Sequence, residues 1–238
     1  MRFVAAVLLL AGCASTQLSA QRIAAIVASP DRSAADRTND IRRKPAEMLA
    51  FIGIREGMVA LDVSAAGGYT TELVARAVGP KGRVYGQTRA PDPRQRLAER
   101  AKNPAASNIV PVVRPFENPA PPELASNGFD LVTLMFNYHD FGHMGVDRAQ
   151  MNRATFAALK PGGLYVIADH SGRAGTGISE SGTLHRIEEA FLRKEVEAAG
   201  FQLVAEGGFL RNPNDPRDRE TPEPPQPKDE FVLKFRKP

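Results

Sequence analysis

All four histidines of this 238-residue chain fall between residues 139 and 185, as His139, His143, His170 and His185. Two of them stand in dense polar settings, Asn137-Tyr138-His139-Asp140 and Asp169-His170-Ser171. A histidine beside a carboxylate can take a proton from a substrate near neutral pH. In that reading His139 or His170 is the base, and Asp140 or Asp169 orients it. His139 and His143 are four residues apart, a spacing that chelates a metal on a helix, and Asp169 and His170 could complete such a site. Gly142 between them disfavours a stable helix there, and no metal is expected. The plain reading of His143 and His185 is structural, with His185 paired to Glu188 or Glu189 on a helix surface. Arg148 and Arg153 read as a solvated helix face.

A second segment that could do chemistry is Val59-Ala60-Leu61-Asp62-Val63-Ser64-Ala65-Ala66-Gly67-Gly68-Tyr69. It joins a short apolar run to a helix-like one through small residues, which let a ligand approach the backbone near a helix N-terminus. It is not a phosphate loop, because no Gly-Lys-Ser/Thr follows, and it lacks the Gly-x-Gly-x-x-Gly of dinucleotide sites.

The elements that must position these groups alternate along the chain. Strand-like runs occur at 58–63, 83–87, Ile109–Val113, 129–136, 164–168, 201–205 and 231–235. Helical spacing lies between them at 31–39, 45–53, Tyr69–Val78, 93–103, 147–159 and 183–199. The run at 129–136 is almost wholly apolar, as a central parallel strand should be. Repeated strand–helix–strand units predict an α/β, Rossmann-like, doubly wound and mostly parallel sheet. The ending differs. Residues 212–230 carry six prolines and no helical pattern, so the final strand is expected to return antiparallel. His139 and His170 then follow strands and belong on the carboxyl edge, where open parallel sheets bind ligands.

The acidic residue followed by small residues at alternate positions resembles the first motif of class I S-adenosylmethionine-dependent methyltransferases. The likeness runs from about Pro45 to residue 238. It is strongest to a group of bacterial methyltransferases, often exported, with similar segments at 65–68, 137–140, 151–163 and 169–171. The resemblance implies S-adenosylmethionine as cofactor, with Asp62, Ser64, Ala66, Gly67 and Gly68 around its methionine part and Asn137 nearby. It also implies the antiparallel last strand. Two positions depart from the pattern. Ser64 and Ala66 stand where the motif has glycine, and Gln87 stands where an acidic residue grips the ribose hydroxyls. A neutral amide binds hydroxyls less strongly than a carboxylate.

Composition bounds the alternatives. Hydrophobic residues are 42% and charged residues 24%, the balance of a folded globule. The net charge of +4 is spread along the chain, tryptophan is absent and aromatics are 7%, so nucleic acid is not an expected partner. Residues 1–12 read as an export signal, and Leu10-Ala11-Gly12-Cys13 resembles a lipobox, making Cys13 a lipid-bearing residue at the membrane. Residues 13–30 are then a tether and 31–238 the domain, located in the periplasm or anchored as a lipoprotein to the outer membrane. The function expected is methyl transfer to a small or envelope-associated acceptor. The alternatives are a binding module on the same scaffold and, less favoured, a metal-dependent hydrolase.

Overall fold

The apolar run after residue 128 is the middle of the molecule. In the computed structural model, which describes residues 17–222 and 226–238, it forms strand β4 (Phe129–Met135). Leu131, Val132 and Leu134 have no solvent exposure, because both faces of this strand are covered. Strands β1 (Val59–Val63), β2 (Arg83–Thr88), β3 (Ile109–Val113), β5 (Leu159–His170), β6 (Gln202–Gly207) and β7 (Glu230–Arg236) surround it. The seven form one sheet in the order β3-β2-β1-β4-β5-β7-β6. Pairing is parallel from β3 through β5, and β7 runs antiparallel to both β5 and β6. This is the expected doubly wound, mostly parallel sheet with an antiparallel C-terminal strand.

Helices α1 (Ala20–Val27), α3 (Pro45–Ile52) and α4 (Tyr69–Val78) cover one face. Ile23, Ile26, Leu49, Ile52, Val74 and Val78 pack there with Leu131 and Val166 of the sheet. Helices α7 (Arg148–Ala158) and α8 (Glu189–Glu197) cover the other, joining Met151, Leu192 and Val196 to Val132, Leu134 and Ile167. Helix α2 (Ala34–Arg43), capped by the Ser33 side chain, lies over the carboxyl edge, and α5 (Arg96–Ala101) flanks β3. The short α6 (Asp140–His143) follows β4 directly.

Two segments differ from the sequence reading, and a third is fixed by long-range pairs. The described part of the expected tether contains α1, whose Ile23 and Ile26 are buried, so this stretch is part of the packed domain. The helix expected from residue 183 begins only at Glu189, and His185 takes a left-handed φ of 50° in the irregular stretch before it. The Pro-rich loop is pinned inward: the Arg186 and Asp215 side chains form a wholly buried ion pair at 2.9 Å, and Arg186 also donates to the Ser171 carbonyl at 2.9 Å. Asp229 accepts the Asn212 N–H at 2.8 Å, closing the loop at its base. The expected signal segment and Cys13 lie outside the described residues.

Candidate functional site

At the carboxyl edge the chain reverses between β2-β1 and β4-β5, which opens the crevice where such sheets bind ligands. The loop from β1 to α4 forms one wall. Ser64 (φ 57°), Ala66 (φ 48°) and Gly68 (φ 80°) all adopt left-handed backbone, so two side-chain-bearing residues take a conformation that suits glycine. Gln87 holds the loop in this shape. Its Oε1 accepts the Ser64 N–H at 2.9 Å, its carbonyl accepts the Ala65 N–H at 2.8 Å, and its Nε2 donates to the Arg114 carbonyl at 2.6 Å. Gln87 is fully buried. Expected against the ribose, its amide stands behind the loop instead, and it acts on the site by positioning.

Asp62, Ser64, Ala66, Gly67 and Asn137 line a cleft of about 430 Å³, within the size range of small-molecule sites. Gly68 is buried beneath Leu97 and Arg100, where a Cβ would come within 2.8 Å of both. The Asp62 carboxylate accepts from Thr71 Oγ1 at 2.6 Å and Thr133 Oγ1 at 2.7 Å. Complete burial outweighs these bonds and raises its pKa to about 6. Ser64 Oγ donates to Asn137 Oδ1, linking the loop to the end of β4.

Sequence reasoning missed the opposite wall. Helix α2 contributes Asp36, Asn39 and Arg43, and Tyr69, Arg100 and Phe136 complete the lining. The signal was present as spacing: residues 36, 39 and 43 share a helical face. Arg100 fastens this wall, with its guanidinium forked on Asp36 at 2.6 and 2.9 Å and donating to the Gly67 carbonyl at 2.6 Å. Arg43 differs. Its guanidinium lies 4.5 Å from the Phe136 ring centre and 5.3 Å from that of Tyr69, and its buried Nε has no hydrogen-bond partner among the described residues. Burial, then the neighbouring Arg42, lowers its pKa. Phe136 itself holds φ 61°, a strained conformation for an aromatic residue and one that clusters at binding sites.

This donor set fits one end of S-adenosylmethionine. A half-buried guanidinium with an unpaired Nε suits a carboxylate and a buried aspartate suits an ammonium group, together the two charges of an amino-acid moiety. At the end of β2, where an acidic residue would meet a ribose, Gln87 is turned away.

The structure brings His139, His143 and His185 together around Asp140, with the His170 ring centre 5.2 Å from that of His139. His139 Nδ1 lies 2.6 Å from Asp169 Oδ1, and its Nε2 lies 3.1 Å from Asp140 Oδ1. Burial opposes charge on His139, but Asp169 and Asp140 outweigh it and raise the pKa to about 9. Asp169 is fully buried and also accepts the backbone N–H groups of His139 and His170, both at 2.8 Å. Asp140 Oδ1 is 2.9 Å from His185 Nδ1, so His185 pairs here and not with Glu188 or Glu189. Burial raises the Asp140 pKa, yet His139 and His185 more than reverse this and hold it low. His170 is different: burial lowers its pKa, and its Nδ1 is 3.0 Å from Glu230 Oε1 without the alignment of a hydrogen bond. Arg148 is not a free surface group. It forks onto Glu195 at 2.9 and 2.8 Å, and Glu195 also accepts from the buried Tyr138 hydroxyl, which anchors the corner carrying Asn137 and His139.

Comparison with known proteins agrees with this architecture. Residues 21–114 match the family model for protein-L-isoaspartate(D-aspartate) O-methyltransferase. The demethylmenaquinone methyltransferase of Staphylococcus aureus strain JH9 is 35% identical over 127 residues, covering 50% of this chain and 46% of the relative. The chain thus spans about half the length of the curated relatives it matches. Among solved structures, an S-adenosylmethionine-dependent methyltransferase from Aquifex aeolicus superposes with a TM-score of 0.63 at 18% identity, covering 92% of this chain and 99% of that one. Fibrillarin from Aeropyrum pernix, solved with natively bound S-adenosylmethionine, gives 0.51 at 21% identity over 76% of this chain and 66% of its own. The cyclase SpnF gives 0.60 at 17% identity, with 82% of each chain covered. The chain has the class I methyltransferase fold.

Proposed function

We propose that this protein transfers a methyl group from S-adenosylmethionine to a small acceptor bound beside His139 and His170. The observation that carries the reading is that buried Asp62 and Arg43, whose Nε has no hydrogen-bond partner among the described residues, line one cleft at the switch point of a class I methyltransferase sheet. Arg43 and Asp62 would hold the amino-acid end of the cofactor, with Ser64, Ala66, Gly67 and Asn137 along it. When bound, the cofactor supplies an electrophilic methyl group; the chain supplies orientation and a place for the acceptor's proton. Both ring nitrogens of His139 face carboxylates, so neither is free to accept that proton. The base role therefore falls to His170, stacked beside Phe136 with ring centres 5.6 Å apart. Asp169 is a positioning residue for both histidines.

The names of the relatives support the donor more than the acceptor. The family match ends at residue 114, before β4 and every histidine. A fold shared with a cyclase does not fix the reaction, and the inward turn of Gln87 favours a second reading, a binding module that has kept the scaffold. Calorimetric titration of S-adenosylhomocysteine into the purified protein separates the two. Micromolar binding supports the enzyme; no binding by a folded sample sinks it. Export, with Cys13 as lipid-bearing residue, rests on residues 1–14 alone, and fusing that segment to a periplasmic reporter tests it.

A further inference from the structure

We propose that His139, Asp140 and His185 form a binding site for one divalent transition-metal ion of the zinc class. One ligand atom from each lies within 4.8 Å of the others. His139 Nε2 and His185 Nδ1 stand 3.1 and 2.9 Å from Asp140 Oδ1. A tetrahedral ion with bonds of about 2.0–2.1 Å spaces its ligands by roughly 3.3 Å; both nitrogen–oxygen spacings lie within a few tenths of an ångström of that, and the two nitrogens, within 4.8 Å of each other, close on the ion as it binds.

The hydrogen-bond geometry points the same way. Asp169 accepts from His139 Nδ1, which leaves the Nε2 lone pair directed at the Asp140 carboxylate. A lone pair and a carboxylate at that distance need a positive particle between them, and either a proton or a metal ion can serve. The surroundings are those of a ligand set. Asp169–His139 reproduces the carboxylate–histidine arrangement that fixes a metal-binding imidazole, and Asp140 Oδ2 accepts from Asn137 Nδ2 at 2.6 Å. Ser181 Oγ donates to the His139 carbonyl and lies 2.9 Å from His143 Nδ1, which sets the His143 ring beside His185, with ring centres 5.6 Å apart. Asp140, His143 and His185 are each partly open to solvent, which gives an ion its entry. Two imidazoles and one carboxylate favour zinc, cobalt or iron over the all-oxygen coordination of calcium and magnesium. Two hydrogen bonds, through Asn137, join the site to Ser64 of the cleft.

The site stands apart from the methyl-transfer reading and is tested without it. Chelator-treated full-length protein is titrated with cobalt(II), followed by visible d–d absorption, and the cobalt is then displaced with zinc. A saturable spectrum at one ion per chain is expected. Asp169→Asn lowers the affinity about 10–100-fold. His185→Gln, in an irregular and partly exposed stretch, abolishes the spectrum while far-ultraviolet circular dichroism stays native. The proposal is overturned if folded wild-type protein gives no saturable spectrum, or if His185→Gln retains it. S-adenosylhomocysteine binding is scored separately, so either reading can fail alone.

Discussion

Asp169 and His139 are joined twice: the carboxylate takes the imidazole Nδ1–H at 2.6 Å and the backbone N–H of the same residue at 2.8 Å. With the His170 N–H also bound, three donors converge on a side chain that has no contact with water. Asp169→Asn removes the charge and puts an N–H against one of those donors. A loss of about 3 kcal/mol is expected in urea denaturation, as for other broken buried charge networks.

Asp62 gives the stability a defined pH dependence. Its pKa is about 6 in the folded chain against an ordinary 3.8, so between those values the native state holds more protons than the unfolded one. Stability therefore falls as pH rises through that window, by roughly 2–3 kcal/mol in full, and levels off above it. Asp62→Asn removes this contribution. The variant should gain on the wild type from pH 4 to pH 6 and hold a constant lead above that in parallel urea titrations.

Ala66 is exposed and left-handed, and its side chain is not needed for any contact described above. Replacing it with glycine relieves a strain of about 1–2 kcal/mol and adds back about 0.5–1 kcal/mol of unfolded-state entropy. Ala66→Gly should raise stability by around 0.5–1 kcal/mol. Ser64→Gly should not, because it also loses the bond to Asn137.

Gln87 provides the sharpest separation between contact and support. If its side chain met the cofactor's ribose, Gln87→Glu would tighten S-adenosylhomocysteine binding. Its Nε2 instead donates to the Arg114 carbonyl, so a glutamate there sets oxygen against oxygen. Gln87→Glu should lose about 1–3 kcal/mol of stability and weaken binding. Tighter binding by the variant would overturn this assignment.

Arg43 has the opposite profile. Its Nε is buried without a partner, so Arg43→Gln should leave thermal stability equal or higher while lowering S-adenosylhomocysteine affinity about tenfold or more. Equal affinity in the variant would remove Arg43 from the site.

The alternation of short apolar runs with helical spacing made the sheet legible, and the prolines between 212 and 230 made its antiparallel ending legible. That Asp62, Ser64, Ala66, Gly67 and Asn137 share one cleft at the sheet edge was legible too, because a chain segment at the end of a parallel strand has few other places to go. What the sequence did not show depends on distant partners. Asp36, Asn39 and Arg43 reach the cleft through distant contacts that hold α2 down, among them the Arg100–Asp36 pair, which spans 64 residues. His185 was misread for the same reason: its partner, Asp140, is 45 residues away, while the nearby Glu188 and Glu189 offered a local answer. Gln87 kept its place at the strand end but turned inward, a rotamer choice that spacing cannot reveal.

The position of β7 between β5 and β6 sets an order of events during synthesis. β6 leaves the ribosome first, yet it joins the sheet only through β7, which is made 23 residues later. Until residues 230–236 emerge, β5 presents an open edge and β6 has no partner. A product stalled before that point carries two unpaired strand edges, the surface that drives association with other chains. The topology therefore makes synthesis through β7 a condition of folding, and a copy cut before residue 230 should be retained by chaperones or degraded rather than accumulate as a partial domain.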